Sequence, residues 1–177
     1  MNAGTGLSLP EAVIATMTDT PPPSPHFDPD LRAAPIPPFA RSLPMQLMRA
    51  REAVMQRFRP HLRAHGITDQ QWRVIRALVE AESLEILELS RKCSIHSASL
   101  SRILPRLDAA GIITRRVNQA DQRRVIVTIA PKGRELFAEM ASESEEIYAR
   151  IARDLGMQRL GDLYRTLDEF ISIMSGR

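Results

Sequence analysis

From Ser42 to Ala110 the apolar side chains recur at intervals of three and four residues, and after Gly111 the interval becomes two. The first spacing lines one face of an α-helix and the second lines one face of a β-strand. This break in period sets the order of elements: several helices, a short β-hairpin, then helices again. The expected fold class is mainly α with a small β-hairpin wing, a winged helix-turn-helix on a helical platform.

A first helix is expected over 42–66, with Leu47, Met48, Val54, Met55, Phe58 and Leu62 on its apolar face and Gly66 at its end. Thr68 opens a second helix through a capping box with Gln71, while Ile67 and Trp72 stand where a hydrophobic staple places them. Trp72, Ile75, Leu78 and Val79 then point inward, and the helix stops near Glu82. A short helix over 86–93, the turn Ser94-Ile95-His96 and a helix over 97–110 closed by Gly111 form a helix-turn-helix. Pro105 removes a backbone donor from that last helix, so a bend is expected there.

Strands over 112–117 and 123–129 flank a polar turn, with Val125, Val127 and Ile129 alternating. Pro131 suits the first turn of a fifth helix, and Leu160, Leu163, Leu167, Phe170, Ile171 and Met174 share one face of a sixth. Ahead of all this, nine of the 13 prolines lie in residues 1–41, which predicts a flexible tail, with a transient helix over 10–17 or a role as an arm on a partner subunit as the alternatives.

The length of 177 residues and the apolar share of 44% suit one globular unit. A single cysteine excludes an intramolecular disulfide framework. No apolar run approaches the roughly 20 residues of a membrane span, and the first basic residue is Arg32, unlike the charged start of a signal peptide. A cytoplasmic, nucleoid-associated protein without membrane partners is expected.

The net charge of +3 says little, but its placement says more. Between Arg91 and Arg124 eight basic residues face two acids, Asp108 and Asp121. A basic helix followed by a basic hairpin is the electrostatic footprint expected on duplex DNA; a solvated charged face is the alternative. In the fourth helix Leu100, Ile103, Leu104 and Leu107 form the buried stripe, which leaves His96, Ser97, Ser99, Arg102 and Arg106 for the groove. Ser and Arg near the start of the helix suit base edges, and Arg106 lies where phosphate contact is expected. Arg123 and Arg124 follow the hairpin turn, where an arginine can enter a narrow minor groove, with Asp121 placed to orient one of them.

The order of elements, the run Leu107-Asp108-Ala109-Ala110-Gly111-Ile112-Ile113 and the segment Asp121-Gln122-Arg123-Arg124-Val125-Ile126-Val127 before Pro131-Lys132-Gly133 resemble the MarR family of bacterial regulators over residues 42–177. Within it, Ala50-Arg51-Glu52-Ala53, Phe58-Arg59-Pro60 and Thr68-Asp69-Gln70-Gln71-Trp72-Arg73 are similar to regulators of homoprotocatechuate and nicotinate degradation. The resemblance implies a homodimer held by 42–66 and 132–177, with the winged helix-turn-helix over 68–131. It also implies binding to a pseudo-palindromic operator in double-stranded DNA, usually as a repressor relieved by a phenolic or aromatic acid. Ala130 stands where that family commonly has a capping Thr, and Pro105 is unusual for it.

Arg51 falls on the apolar row of the first helix, an expensive place for an unpaired guanidinium. A small aromatic or pyridine carboxylate would satisfy it, with Phe58 and Trp72 as walls and Arg59 and His61 as further donors; a salt bridge within or between subunits is the alternative. His61 and His65 have the spacing of a zinc pair without an obvious third ligand, so no metal is expected. Cys93 reads as a small apolar core residue, or else as the sensor of a redox-responsive regulator. No nucleophile with a base, metal cluster or glycine-rich phosphate loop points to an enzyme, and no cofactor is expected. A winged helix that meets an acidic protein partner remains the other non-enzymatic reading.

Overall fold

The computed structural model describes residues 36–118, 121 and 124–176. The chain divides into two units, residues 1–42 and 43–177. Most of the tail expected over 1–41 lies outside the described residues; within the first unit Phe39–Arg41 forms one 3-10 turn, in which the Arg41 N–H donates to the Pro38 carbonyl at 2.7 Å.

The second unit runs α1 (Leu43–Ala64), α2 (Asp69–Ala81), β1 (Ser83–Glu85), α3 (Ile86–Cys93), α4 (Ser97–Ala109), β2 (Ile113–Val117), β3 (Val125–Ile129), α5 (Pro131–Leu155) and α6 (Met157–Met174). The capping box at α2 forms as expected: the Gln71 N–H donates to Thr68 Oγ1 at 3.3 Å and the Thr68 N–H to Gln71 Oε1 at 2.9 Å. Gly66 and Gly111, at φ of +67° and +71°, end α1 and α4 in the left-handed conformation that favours glycine. Helix α4 is continuous through Pro105.

The hairpin carries a third strand that the sequence pattern did not announce. The sheet is antiparallel in the order β1-β3-β2, with Leu84 opposite Val127 and Glu85 opposite Ile126. Strand β1 has three residues and one apolar side chain, too few to display alternation, and it exists through pairing with β3 far along the chain.

One core joins the elements. Val74, Ile75 and Leu78 of α2 lie with Leu89 of α3, Leu100, Leu104 and Leu107 of α4, and Ile113 and Val127 of the sheet, all essentially without solvent exposure. Phe58 and Leu62 of α1 join the same cluster with Met140 and Ile147 of α5. Trp72 stacks on Phe137 at 5.6 Å and Phe58 meets Tyr148 edge-on at 5.0 Å. A Cβ on Gly133 would stand 2.3 Å from the Ile112 carbonyl oxygen, so the glycine lets the start of α5 lie against the start of the hairpin.

The apolar faces of α6 and of the first half of α1 are not covered in the same way. Helix α6 buries no residue, and Leu43, Leu47, Met48, Leu163, Ile171 and Met174 are exposed. Their helical spacing is that of an interior face without an interior in its own chain.

Candidate nucleic-acid interface and adjoining pocket

Helix α4 buries Leu100, Ile103, Leu104 and Leu107 and turns His96, Ser97, Arg102 and Arg106 outward, with Ser99 half-buried. Its start is fixed by main-chain bonds: the carbonyl of His96 accepts from the N–H groups of Ser99 at 2.9 Å and Leu100 at 3.1 Å. At its end, Lys132 Nζ donates to the Ala110 carbonyl at 2.9 Å, a cation on the negative end of the helix. Arg102, Arg106 and Ser99 line a depression of about 370 Å³ with Thr68, Gln70 and Gln71 from the start of α2.

The basic residues differ in how their charge is used. Arg115 is paired with Asp108 at 2.9 Å and Lys92 with Glu80 at 3.0 Å. Arg124 donates to Glu85 at 3.0 Å and lies 3.3 Å from Asp121, and both acids push its pKa up, the Glu85 hydrogen bond foremost. Among the described residues Arg102, Arg106 and Arg116 form no ion pair. The charge excess counted along the chain is thus partly cancelled at the wing by Glu85, from outside the basic segment, and stays free on the outer face of α4. Arg123 lies outside the described residues. Asp121 lies 3.3 Å from Arg124.

Between α1, α2 and α5 lies a pocket of about 190 Å³. Its floor and walls are Val54, Met55, Phe58, Trp72 and Tyr148; its polar groups are Arg51, Asp69, Arg73 and Arg76. The Arg76 guanidinium donates to Tyr148 Oη at 3.0 Å. Asp69, the one carboxylate in the lining among the described residues, already accepts from Arg59 at 3.2 and 3.3 Å and stands 3.9 Å from Arg51. Desolvation, and then the nearby charge of Arg51, lower the pKa of Arg73. Three guanidinium groups around one carboxylate that is already bonded leave a surplus of positive charge facing an aromatic wall. Such a lining suits a flat organic anion.

Of the residues expected at a ligand site, Arg51, Phe58 and Trp72 come together and Arg59 and His61 do not line the pocket. Arg51 is also half exposed rather than buried on the apolar row, because the first half of α1 lacks cover within the chain. Arg59 lies behind Asp69 and is bound by it and by Glu52, whose carboxyl pKa is held down mainly by that hydrogen bond. His61 faces the opposite way, 2% exposed, with Nε2 at 3.1 Å from the Met140 carbonyl and Nδ1 at 2.8 Å from a Glu143 carboxylate oxygen. Asp69, Arg73, Arg76 and Tyr148 were missed, although the first three share a helical face with Trp72 at spacings of three and four.

Cys93 is buried, its thiol donates to the Arg73 carbonyl at 3.5 Å, and burial pushes its pKa up. That environment favours the packing reading over a reactive thiolate. Among the described residues no group of three or more potential metal ligands assembles, and no helix is long and apolar enough to cross a membrane.

Comparison with known proteins places this geometry among regulators. The MarR family profile matches residues 65–124. The chain is 33% identical over 136 residues to the homoprotocatechuate degradative operon repressor of Escherichia coli, covering 77% of this chain and 92% of that protein. It is 39% identical over 132 residues to the transcriptional regulator FarR of Neisseria gonorrhoeae, covering 75% and 90%. Among solved structures, NadR in complex with 4-hydroxyphenylacetate aligns with a TM-score of 0.70 at 36% identity, over 76% of this chain and 98% of that one.

Proposed function

This chain belongs to the MarR family of transcriptional regulators, and from that premise we propose that it is a dimeric, sequence-specific DNA-binding repressor released from its operator by a small aromatic carboxylate held beside Trp72. The observation that carries the effector half of this reading is the surplus of guanidinium groups in a pocket walled by Trp72, Phe58 and Tyr148. Arg51, Arg73 and Arg76 supply the anion-binding charge. Asp69, which accepts from Arg59, offers a further acceptor for a hydroxyl or ring N–H on the same ligand.

The DNA half rests on α4. Arg102 and Arg106 are exposed and without ion pairs among the described residues, so their full charge is available to phosphate or to guanine edges. His96, Ser97 and Ser99 stand at the leading end of the same helix, and we assign Arg123 and Arg124 the contacts of the wing. The uncovered faces of α1 and α6 supply the surface for a second copy, which sets two reading heads about one helical turn of DNA, roughly 34 Å, apart.

A fluorescence titration of the protein against the duplex upstream of its own gene, repeated with hydroxylated aromatic and pyridine carboxylates, tests both halves. Specific binding weakened by one acid, with the response lost in Arg51→Ala, is the expected result. Tight binding indifferent to every acid would leave the DNA reading and remove the effector; no sequence preference at all would remove both.

A further inference from the structure

We infer that Arg73 couples the effector pocket to the helix-turn-helix: its side chain lines the pocket and clamps the turn between α3 and α4, so an effector anion and the turn compete for one guanidinium. The inference rests on the effector reading above.

On the turn side, Arg73 Nη1 donates to the carbonyls of Cys93 at 2.7 Å and Ser94 at 3.3 Å, and the Cys93 thiol donates back to the Arg73 carbonyl at 3.5 Å. The Cys93 carbonyl belongs to the last turn of α3, where acceptors have no partner within the helix, and a charged donor bonds them strongly. The residue beneath this clamp, Ser94, has φ of +50° and ψ of 49°. A side chain with a Cβ adopts that left-handed conformation at a cost and keeps it where its surroundings hold it. Helix α4 begins three residues later, at Ser97, so the aim of the reading helix is inherited from this turn.

On the pocket side, Arg73 stands with Arg51, Trp72 and Arg76. It also lines the neighbouring crevice formed with Glu80, Lys92 and Cys93, so one side chain reaches from the pocket to the end of α3. Loss of water, and then the charge of Arg51, disfavour its guanidinium there. A carboxylate entering the pocket offsets that repulsion and draws the guanidinium from the two carbonyls. Ser94 then loses a restraint on its left-handed geometry, and α4 shifts relative to α3. By linkage, DNA that holds α4 in place must lower effector affinity by the same factor.

The test uses the full chain and a duplex selected by the wild-type protein from a random-sequence pool. Trp72 is the only tryptophan and lines the pocket, so its fluorescence reports binding of benzoate, 4-hydroxyphenylacetate, nicotinate or 6-hydroxynicotinate. The quantity read is the ratio of duplex Kd with and without saturating acid. About tenfold or more is expected for the wild type and below about twofold for Arg73→Gln and Ser94→Gly. Ser94 does not line the pocket, and glycine adopts the left-handed turn unaided, so Ser94→Gly should bind acid like the wild type while losing the coupling. If Arg73→Gln does not fold, Ser94→Gly decides alone. A wild-type ratio retained in the folded variants overturns the coupling role. A wild type that responds to none of the acids overturns the effector reading itself, and the coupling with it.

Discussion

Arg124, at the turn end of the hairpin, donates to the carboxylate of Glu85 at 3.0 Å. Glu85 is paired with Ile126, so Arg124, one residue before β3, stands diagonally from it. Both residues, with Ser97 of α4, line a crevice of about 370 Å³ between the wing and the reading helix. The pair links the wing to the residue that precedes α3.

Removing an acid from a DNA-facing surface ordinarily strengthens DNA binding. If Glu85 positions the wing, Glu85→Gln has the opposite sign: specific affinity falls about threefold, while non-specific affinity holds or rises. Anisotropy titrations on selected and random duplexes at matched salt separate the two; a rise on both duplexes would make Glu85 a bystander.

Arg102 and Arg106 should differ in the kind of loss they cause. Arg106→Ala should weaken binding to all sequences and lower the slope of log K against log salt by about 1, as expected for one phosphate contact. Arg102→Ala, nearer the leading end of α4, should relax preference at one base position at a cost of about 1–3 kcal/mol. A salt series on single-base operator variants checks both, and equal losses on every variant for Arg102→Ala would reassign it to phosphate.

Cys93 gives a pH dependence with a definite sign. Its folded pKa is raised above the ordinary value of 9.0 by burial, so the unfolded chain releases this proton first as the medium becomes alkaline. Its contribution to stability is therefore intact below that value and is lost as pH rises toward the folded pKa. Urea titrations from neutral pH to pH about 10 should show a steeper decline for the wild type than for Cys93→Ala. Iodoacetamide should modify the native thiol far more slowly than a free cysteine; equal rates would restore the redox reading.

Helix α5 begins without a side-chain cap at Ala130, whose φ of −87° and ψ of 161° already suit a capping residue. Ala130→Ser should stabilise the fold by about 1 kcal/mol. Chemical denaturation reads this directly. An unchanged midpoint would mean that the first turn of α5 is held by the Pro131 geometry and the Gly133 contact alone.

The helices were legible because their signals are local. The Thr68 capping box, Gly66, Gly111 and Pro131 mark ends within a few residues of the chain, and they stand where the spacing placed them. Strand β1 was illegible because Ser83–Glu85 becomes a strand only by pairing with β3. The same limit governs the site. Trp72, Phe58 and Arg51 could be brought together from helix faces alone, whereas the direction of His61 depends on Met140 and Glu143 of α5, and the neutralisation of Arg124 depends on Glu85. Periodicity shows which way a side chain faces on its own helix, and says nothing of what the opposing element presents.

Helix α6 carries eighteen residues and buries none of them within its own chain. For such a helix, order depends on how often two copies meet, so the quantity of protein in the cell becomes a structural variable. Dilution would cost both the platform and the paired reading heads at once, and operator occupancy at low abundance would fall with the square of chain concentration instead of in proportion to it. A regulator built this way would respond to its own rate of synthesis.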